Sequence, residues 1–199
     1  TTGYGATEDE WQILQQMNQI SSKARYENDE RIHYLKNWIK DHLCPDLGTK
    51  GAKWNNERLL IFTEYADTKR WLENQIFSLI SESDIAEKRI ATFHGGIEDE
   101  KRELLKSSFN ANPNENPLRI LIATDAAREG VNLQNHCKYL FHFDIPWNPS
   151  RMEQRNGRID RTLQRAKEVF CYYFVFADRE EDRVLDVLVK KTEEIRNSL

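Results

Sequence analysis

From residue 58 onward, short unbroken apolar runs alternate with longer stretches whose apolar residues recur every three or four positions. Leu59-Leu60-Ile61-Phe62 has no polar break, so it reads as a strand covered on both faces; a strand with one wet face would alternate. The stretch 66–81 puts Trp71, Leu72, Ile76 and Ile80 on one side of a helix. The pattern then repeats: strand 89–93, helix 97–109, strand 119–123, a short helical turn over 125–128, strand 138–143, a helix over 150–161, strand 168–176, and a charged helix over 179–196. Regular strand and helix alternation specifies an α/β fold built on a mostly parallel sheet with helices on both faces.

Upstream, Ile32, Leu35, Trp38, Ile39 and Leu43 keep helical spacing, with Asn28 or Asp29 as a cap and Pro45 as a stop. Residues 1–57 are thus expected to form a helical extension of two helices plus a linker, and residues 58–199 the main domain. The pattern leaves two placements for the helices, on the sheet or against a preceding lobe.

In sheets of this kind ligands gather at the carboxyl ends of the strands. Thr63-Glu64, His94-Gly95-Gly96, Thr124-Asp125 and Asp144 fall there. Composition narrows the class: 199 residues with 39% hydrophobic content, five Trp, nine Phe and seven Tyr describe a packed globule and exclude disorder. No apolar run has the length of a membrane span, and the polar start is unlike a signal peptide, which points to a cytoplasmic protein. Cys44, Cys137 and Cys171 are odd in number and far apart, so they read as buried small hydrophobes and not as a disulfide framework or zinc site.

A net charge of −4 does not advertise nucleic-acid binding, yet between positions 151 and 167 Arg151, Arg155, Arg158, Arg161, Arg165 and Lys167 outnumber Glu153 and Asp160. On a helix each step of three turns a side chain by about −60° and advances it roughly 4.5 Å, so Arg155, Arg158 and Arg161 are expected to fan over one third of the surface. Planar, permanently charged guanidinium groups converging in this way suit phosphate oxygens. Asn148 and Pro149 are ordinary helix-start chemistry, and Trp147 reads as a packing residue that fixes the helix in preference to a stacking platform. At Thr124-Asp125 a strand runs into a helix start, which serves either to cap the helix or to hold a backbone phosphate. The two glycines after His94 make a turn, or a turn that offers backbone donors beside an imidazole. The chain contains no G-x-x-x-x-G-K-[ST] phosphate loop, no G-x-G-x-x-G fingerprint and no nucleophile elbow. A domain with phosphate-seeking arginines and no cradle is expected to receive its nucleotide from another domain.

Ile61-Phe62-Thr63-Glu64-Tyr65, His94-Gly95-Gly96, the run 124–132 and the run 154–161 together resemble, in order and spacing, motif IV, the turn after it, motif V and motif VI of the C-terminal RecA-like lobe of superfamily 2 helicases and translocases. The resemblance covers residues 59–176. Within that superfamily, Phe143-Asp144-Ile145-Pro146-Trp147-Asn148-Pro149 is similar to the SWI/SNF-type branch, with bacterial RapA-like ATPases and DISARM-type helicases as the nearest likenesses. The resemblance implies that Arg158 and Arg161 reach the γ-phosphate of ATP, which with Mg²⁺ is held by an N-terminal RecA-like lobe encoded upstream with its own phosphate loop and D-E-x-x motif. It implies that Gln154 and Arg155 couple nucleotide state to lobe closure, that Gly130 and Asn132 lie near the nucleotide cleft, and that Thr63, His94, Gly95 and Thr124 touch nucleic-acid phosphates. The expected function is the second motor lobe of an ATP-dependent DNA translocase, inactive alone. An RNA helicase lobe and a non-catalytic nucleic-acid or protein interaction module are the alternatives.

Overall fold

The structure, a computed structural model, describes residues 7–26, 29–125, 132–176, 180, 182–184, 186–187 and 189–190, with side chains from 21 to 26 excluded. Its centre is a five-stranded sheet, all pairs parallel, formed by β1 (Leu59–Thr63), β2 (Ile90–Phe93), β3 (Ile120–Thr124), β4 (Tyr139–His142) and β5 (Phe170–Tyr173) in the order β2-β3-β1-β4-β5. β1 is central, pairing Leu59 with Ile120 on one side and with Tyr139 on the other, and every residue of β1 and β3 is buried. That double burial is why both segments read as unbroken apolar runs.

Crossover connections between the parallel strands distribute the helices. The chain passes from β1 to β2 in one direction through α3 (Ala66–Ile80), then returns through α4 (Asp99–Asn110) to β3 and continues the same way to β4 and β5. α3 therefore covers one face, and α4, the segment after β3 and α5 (Pro149–Asn156) cover the other. On the first face Leu59, Ile61, Ile120, Ile122 and Phe141 pack against Leu72, Ile76 and Ile80 of α3. On the second, Leu60, Phe62, Leu121, Ala123 and Leu140 pack against Phe109, Leu133, Cys137 and Ile159. Cys44 and Cys137 are buried, and burial pushes the Cys137 thiol up to about 12, as suits a small hydrophobe and not a reactive thiol.

Of the two upstream helices, α1 (Glu8–Tyr26) keeps all its described side chains exposed, whereas α2 (Glu30–His42) enters the core. Asp29 caps α2 by accepting from the Arg31 N–H at 2.9 Å. Ile32, Leu35, Trp38, Ile39 and Leu43 join the α3 face, and Trp38 meets Tyr139, Phe141 and Tyr172 edge-on at 4.9, 5.2 and 5.8 Å. Edge-to-face pairs of this kind are worth about 0.5–1.5 kcal/mol each beyond the area they bury.

The arginine helix is shorter than its periodicity implies. α5 begins as expected, with Asn148 accepting from the Ser150 N–H at 2.9 Å and Pro149 in the first turn, but it ends at Asn156 instead of running to 161. The carbonyls of Arg158 and Ile159, which a continuing helix would pass to residues 162 and 163, are taken instead by the Leu133 N–H at 3.0 Å and by Gln164 Nε2 at 2.8 Å. Ile159 is fully buried, so the turn is pulled into the core. Gly157 permits the close turn, since a Cβ there would stand 3.2 Å from the Glu153 carbonyl oxygen. The described residues between 180 and 190 are helical, as the terminal charged pattern indicates.

Candidate functional site

With the helix cut short, the three arginines do not form one fan. Arg155, in the last turn of α5, points inward and is 2% exposed. Its guanidinium donates through Nε and Nη2 to the two carboxylate oxygens of Asp125 at 2.7 and 2.8 Å, and through Nη1 and Nη2 to the carbonyl and Oδ1 of Asp144 at 2.7 and 3.3 Å. Asp125 follows β3 and Asp144 follows β4, so one cation ties two strand ends to α5. Asp144 extends the tie to β1, accepting from the Glu64 N–H at 2.8 Å and from the Thr63 hydroxyl. Glu64 in turn receives Arg151 Nη1 at 2.8 Å.

This hub corrects two sequence expectations. Arg155 is not presented to a nucleotide, because its donors are committed to internal carboxylates. Thr63 is fully buried with its hydroxyl given to Asp144, so it joins strands and does not offer a donor to a phosphate. Thr124 is buried beside Asp125 at the end of β3. Gly130 and the helical turn expected after Asp125 lie outside the described residues. Trp147 is 61% exposed at the start of α5 and does not pack as anticipated; the hub and the Asn148 cap hold the helix instead.

A second buried layer lies beneath the hub. His142, fully buried at the end of β4, pairs Nε2 with Asn156 Oδ1 at 2.8 Å, while Asn156 Nδ2 donates to the Tyr173 hydroxyl at 3.1 Å and the Tyr173 ring stacks on His142 at 4.6 Å. Asn156 Oδ1 can only accept, so Nε2 carries a proton, and the Arg155 Nη1 donor facing Nδ1 at 3.5 Å leaves that nitrogen unprotonated and the imidazole neutral. Burial pushes the His142 pKa down from 6.5 to about 3. Because the folded value lies below the unfolded one, the stability this residue contributes is complete above about pH 6.5 and is lost as pH falls from there toward 3. The slope is about 1.4 kcal/mol per pH unit, one proton's worth. Urea midpoints of wild type and His142→Gln between pH 7 and 4 are expected to differ by that slope; parallel pH profiles would refute the buried neutral assignment.

The other two arginines of the segment stand apart from the hub. Arg158 is half-buried and lines a cleft with Phe62, Asp125, Arg151, Gln154 and Arg155. Burial first, and the adjacent Arg161 charge second, hold its guanidinium below the ordinary value. Arg161 is exposed and donates through Nη1 to the side-chain oxygen of Asn132, so the structure does bring these two predicted residues together. Gln154 is exposed on the outer side of α5. The cleft, about 10 Å³, is far too small for a nucleotide. A larger cavity of about 500 Å³ lies between α5 and β5 among Met152, Asn156, Cys171 and Tyr173, and neither Arg158 nor Arg161 lines it. At the end of β2, Gly95 is exposed and His94 half-buried, its Nδ1 accepting the Gly96 N–H at 3.3 Å. Burial and then the Lys69 charge lower the His94 pKa, so the ring is neutral near pH 7 with an N–H donor on Nε2.

Sequence reasoning missed the hub's pairings, although Asp125 and Asp144 stood out at strand ends. The one available signal for the lower layer was a histidine closing the otherwise apolar strand 139–142.

A RecA-like parallel sheet with this arginine segment defines a helicase C-terminal lobe, and the family model described as "Helicase conserved C-terminal domain" matches residues 36–162. The chain belongs to that family, as the C-terminal lobe of a superfamily 2 helicase. Among relatives, it is 33% identical over 136 residues to the Bacillus subtilis (strain 168) protein named "Uncharacterized ATP-dependent helicase YqhH", covering 68% of this chain and 22% of that protein. It is 30% identical over 159 residues to the "RNA polymerase-associated protein RapA" of Pectobacterium atrosepticum, covering 79% of this chain and 14% of that one. The chain thus spans less than a quarter of the length of these relatives. In structure it resembles the C-terminal part of the Fun30 ATPase domain, with a TM-score of 0.60 at 22% identity over 89% of this chain and 52% of that one. It also resembles Mss116p DEAD-box helicase domain 2, solved bound to an RNA duplex, with a TM-score of 0.57 at 21% identity over 84% and 54% of the two chains. These likenesses establish the fold. Among the described residues no helix is long and apolar enough to cross a membrane.

Proposed function

We propose that this chain is the second motor lobe of an ATP-dependent DNA translocase of the SWI/SNF type, lending Arg158 and Arg161 to an ATP and Mg²⁺ site seated on a preceding RecA-like lobe of the same polypeptide. The observation that carries this reading is the pair itself: Arg158, whose pKa is lowered by burial and then by the nearby Arg161 charge, and Arg161, both set on a turn bonded to the core through Leu133, in a chain without a phosphate loop. Like charges held together are relieved by a polyanion, and the forked donors of arginine fit phosphoryl oxygens. ATP supplies the phosphoryl group. Arg158 and Arg161 counter the charge spread over it, which requires the lobes to close. Gln154, exposed on α5, faces the partner lobe, and Arg155 transmits closure through the hub to the ends of β1, β3 and β4. The His94-Gly95-Gly96 turn supplies donors to a nucleic-acid backbone at the carboxyl edge, with Thr124 helping to shape that edge. The resemblance of residues 143–149 to the SWI/SNF-type branch favours duplex DNA as the track.

The test is steady-state ATP hydrolysis by the two-lobed polypeptide with duplex DNA, with single-stranded RNA and with neither. Stimulation by duplex DNA supports the reading, stimulation by RNA alone makes this an RNA helicase lobe, and no hydrolysis under any condition makes it an interaction module. Hydrolysis by the 199-residue lobe alone would contradict a composite site.

A further inference from the structure

Asn110 closes α4 and belongs to none of the motifs above. Its carboxamide offers one donor group and one acceptor, and both are spent on a single stretch of distant backbone. Nδ2 donates to the Asn132 carbonyl at 2.7 Å, and Oδ1 accepts from the Asn135 N–H at 3.3 Å. The side chain thereby holds the 132–135 segment as a neighbouring strand would.

The point from which it does so is tied on both sides. Arg58, fully buried just before β1, donates to the carbonyl of Phe109, to that of Ala111 at 2.6 Å and to that of Leu118 at 3.1 Å. One guanidinium thus pins the residues on both sides of Asn110, and the Phe109 ring is itself fully buried. From the clamped segment two bonds reach the arginine turn. The Leu133 N–H donates to the Arg158 carbonyl at 3.0 Å, and the Asn132 side-chain oxygen accepts from Arg161.

We propose that Asn110 is a positioning residue for Arg158 and Arg161, registering the turn that carries them against the rigid end of α4 through Asn132 and Leu133. The proposal rests on the reading of those two arginines as groups that meet a phosphoryl. Asn110 touches no ligand. It determines where the guanidiniums stand when the lobes close, and a misplacement of about 1 Å at such a group costs on the order of 100-fold in rate.

The experiment is ATP turnover by the two-lobed polypeptide carrying Asn110→Ala, Arg161→Lys, Arg161→Ala or the double change Asn110→Ala/Arg161→Lys, with melting temperature measured alongside. Asn110→Ala is expected to lower kcat about 10- to 100-fold while KM for ATP stays within about twofold, because the interaction acts on the arginines and not on ground-state binding. In the Arg161→Lys background, whose ammonium has already lost the fork, Asn110→Ala is expected to have a markedly smaller effect. Unchanged kcat in Asn110→Ala beside an inactive Arg161→Ala overturns the positioning role and leaves the finger reading intact. Losses that multiply in the double variant also overturn it, since a general structural role acts independently of residue 161. Full turnover by Arg161→Ala removes the finger reading and this proposal with it.

Discussion

Replacing Arg161 by alanine in the two-lobed polypeptide is expected to lower nucleic-acid-stimulated ATP turnover by about 10³- to 10⁵-fold, roughly 4–7 kcal/mol of barrier, with Arg158→Ala in the same range. The size follows from the role proposed for the guanidinium, which is to meet charge that develops on the phosphoryl in a closed cleft where water no longer screens it. A group of that kind raises kcat more than it tightens ground-state binding, so kcat is expected to carry most of the loss. The melting temperature is expected to stay within about a degree of wild type, because Arg161 is exposed and its described partner, Asn132, is exposed as well. Persistent stimulated turnover in Arg161→Ala would remove the finger assignment, and a lowered rate explained by partial unfolding would show in the melting curve.

The second large effect is opposite in kind and belongs to Arg155. Removing its guanidinium leaves the buried Asp125 carboxylate and the partly buried Asp144 carboxylate without their shared cation, and removing Asp125 leaves a buried cation with one partner fewer. Breaking one side of a buried ion pair costs about 3–5 kcal/mol. For a chain of this size that is a fall of roughly 6–20 °C in melting temperature for Arg155→Ala or Asp125→Ala. The double change Arg155→Ala/Asp125→Ala is expected to cost less than the sum of the two single losses, since the bidentate pair is then removed from both sides, although Asp144 still loses its donor. Calorimetry of the four proteins measures the coupling, and additive losses would show that the bidentate contact contributes nothing specific. Arg155 and Arg161 are six positions apart and chemically identical, yet one variant is expected to unfold early and the other to remain folded without turning over.

That contrast marks what pattern alone could and could not disclose. The strands at 59 and 120 were legible because a doubly covered parallel strand is apolar along nearly all of its length, and those at 90 and 139 because their short runs are mostly apolar. The helix starts at Asp29 and Asn148 were legible because a cap is a contact within two or three residues of itself. The α/β class follows from the same local rules, and so does the family likeness, which rests on short motifs in order.

Contacts between separate segments of the chain settled most of the rest. The repeat of three in Arg155, Arg158 and Arg161 describes a helix face only while each carbonyl bonds within the helix, and here Leu133 and Gln164 take those carbonyls from outside the helix. Arg155 is internal because Asp125, thirty positions earlier, and Asp144 arrive at the same strand edge; Thr63 is internal for the same reason. Trp147 is exposed, and α5 is held by the hub and the Asn148 cap. α2 joins the core because its apolar stripe meets Tyr139, Phe141 and Tyr172, a match between two surfaces that neither segment carries alone. Periodicity reports the environment a residue needs, whereas the identity of its partner depends on which strand ends the parallel order brings side by side.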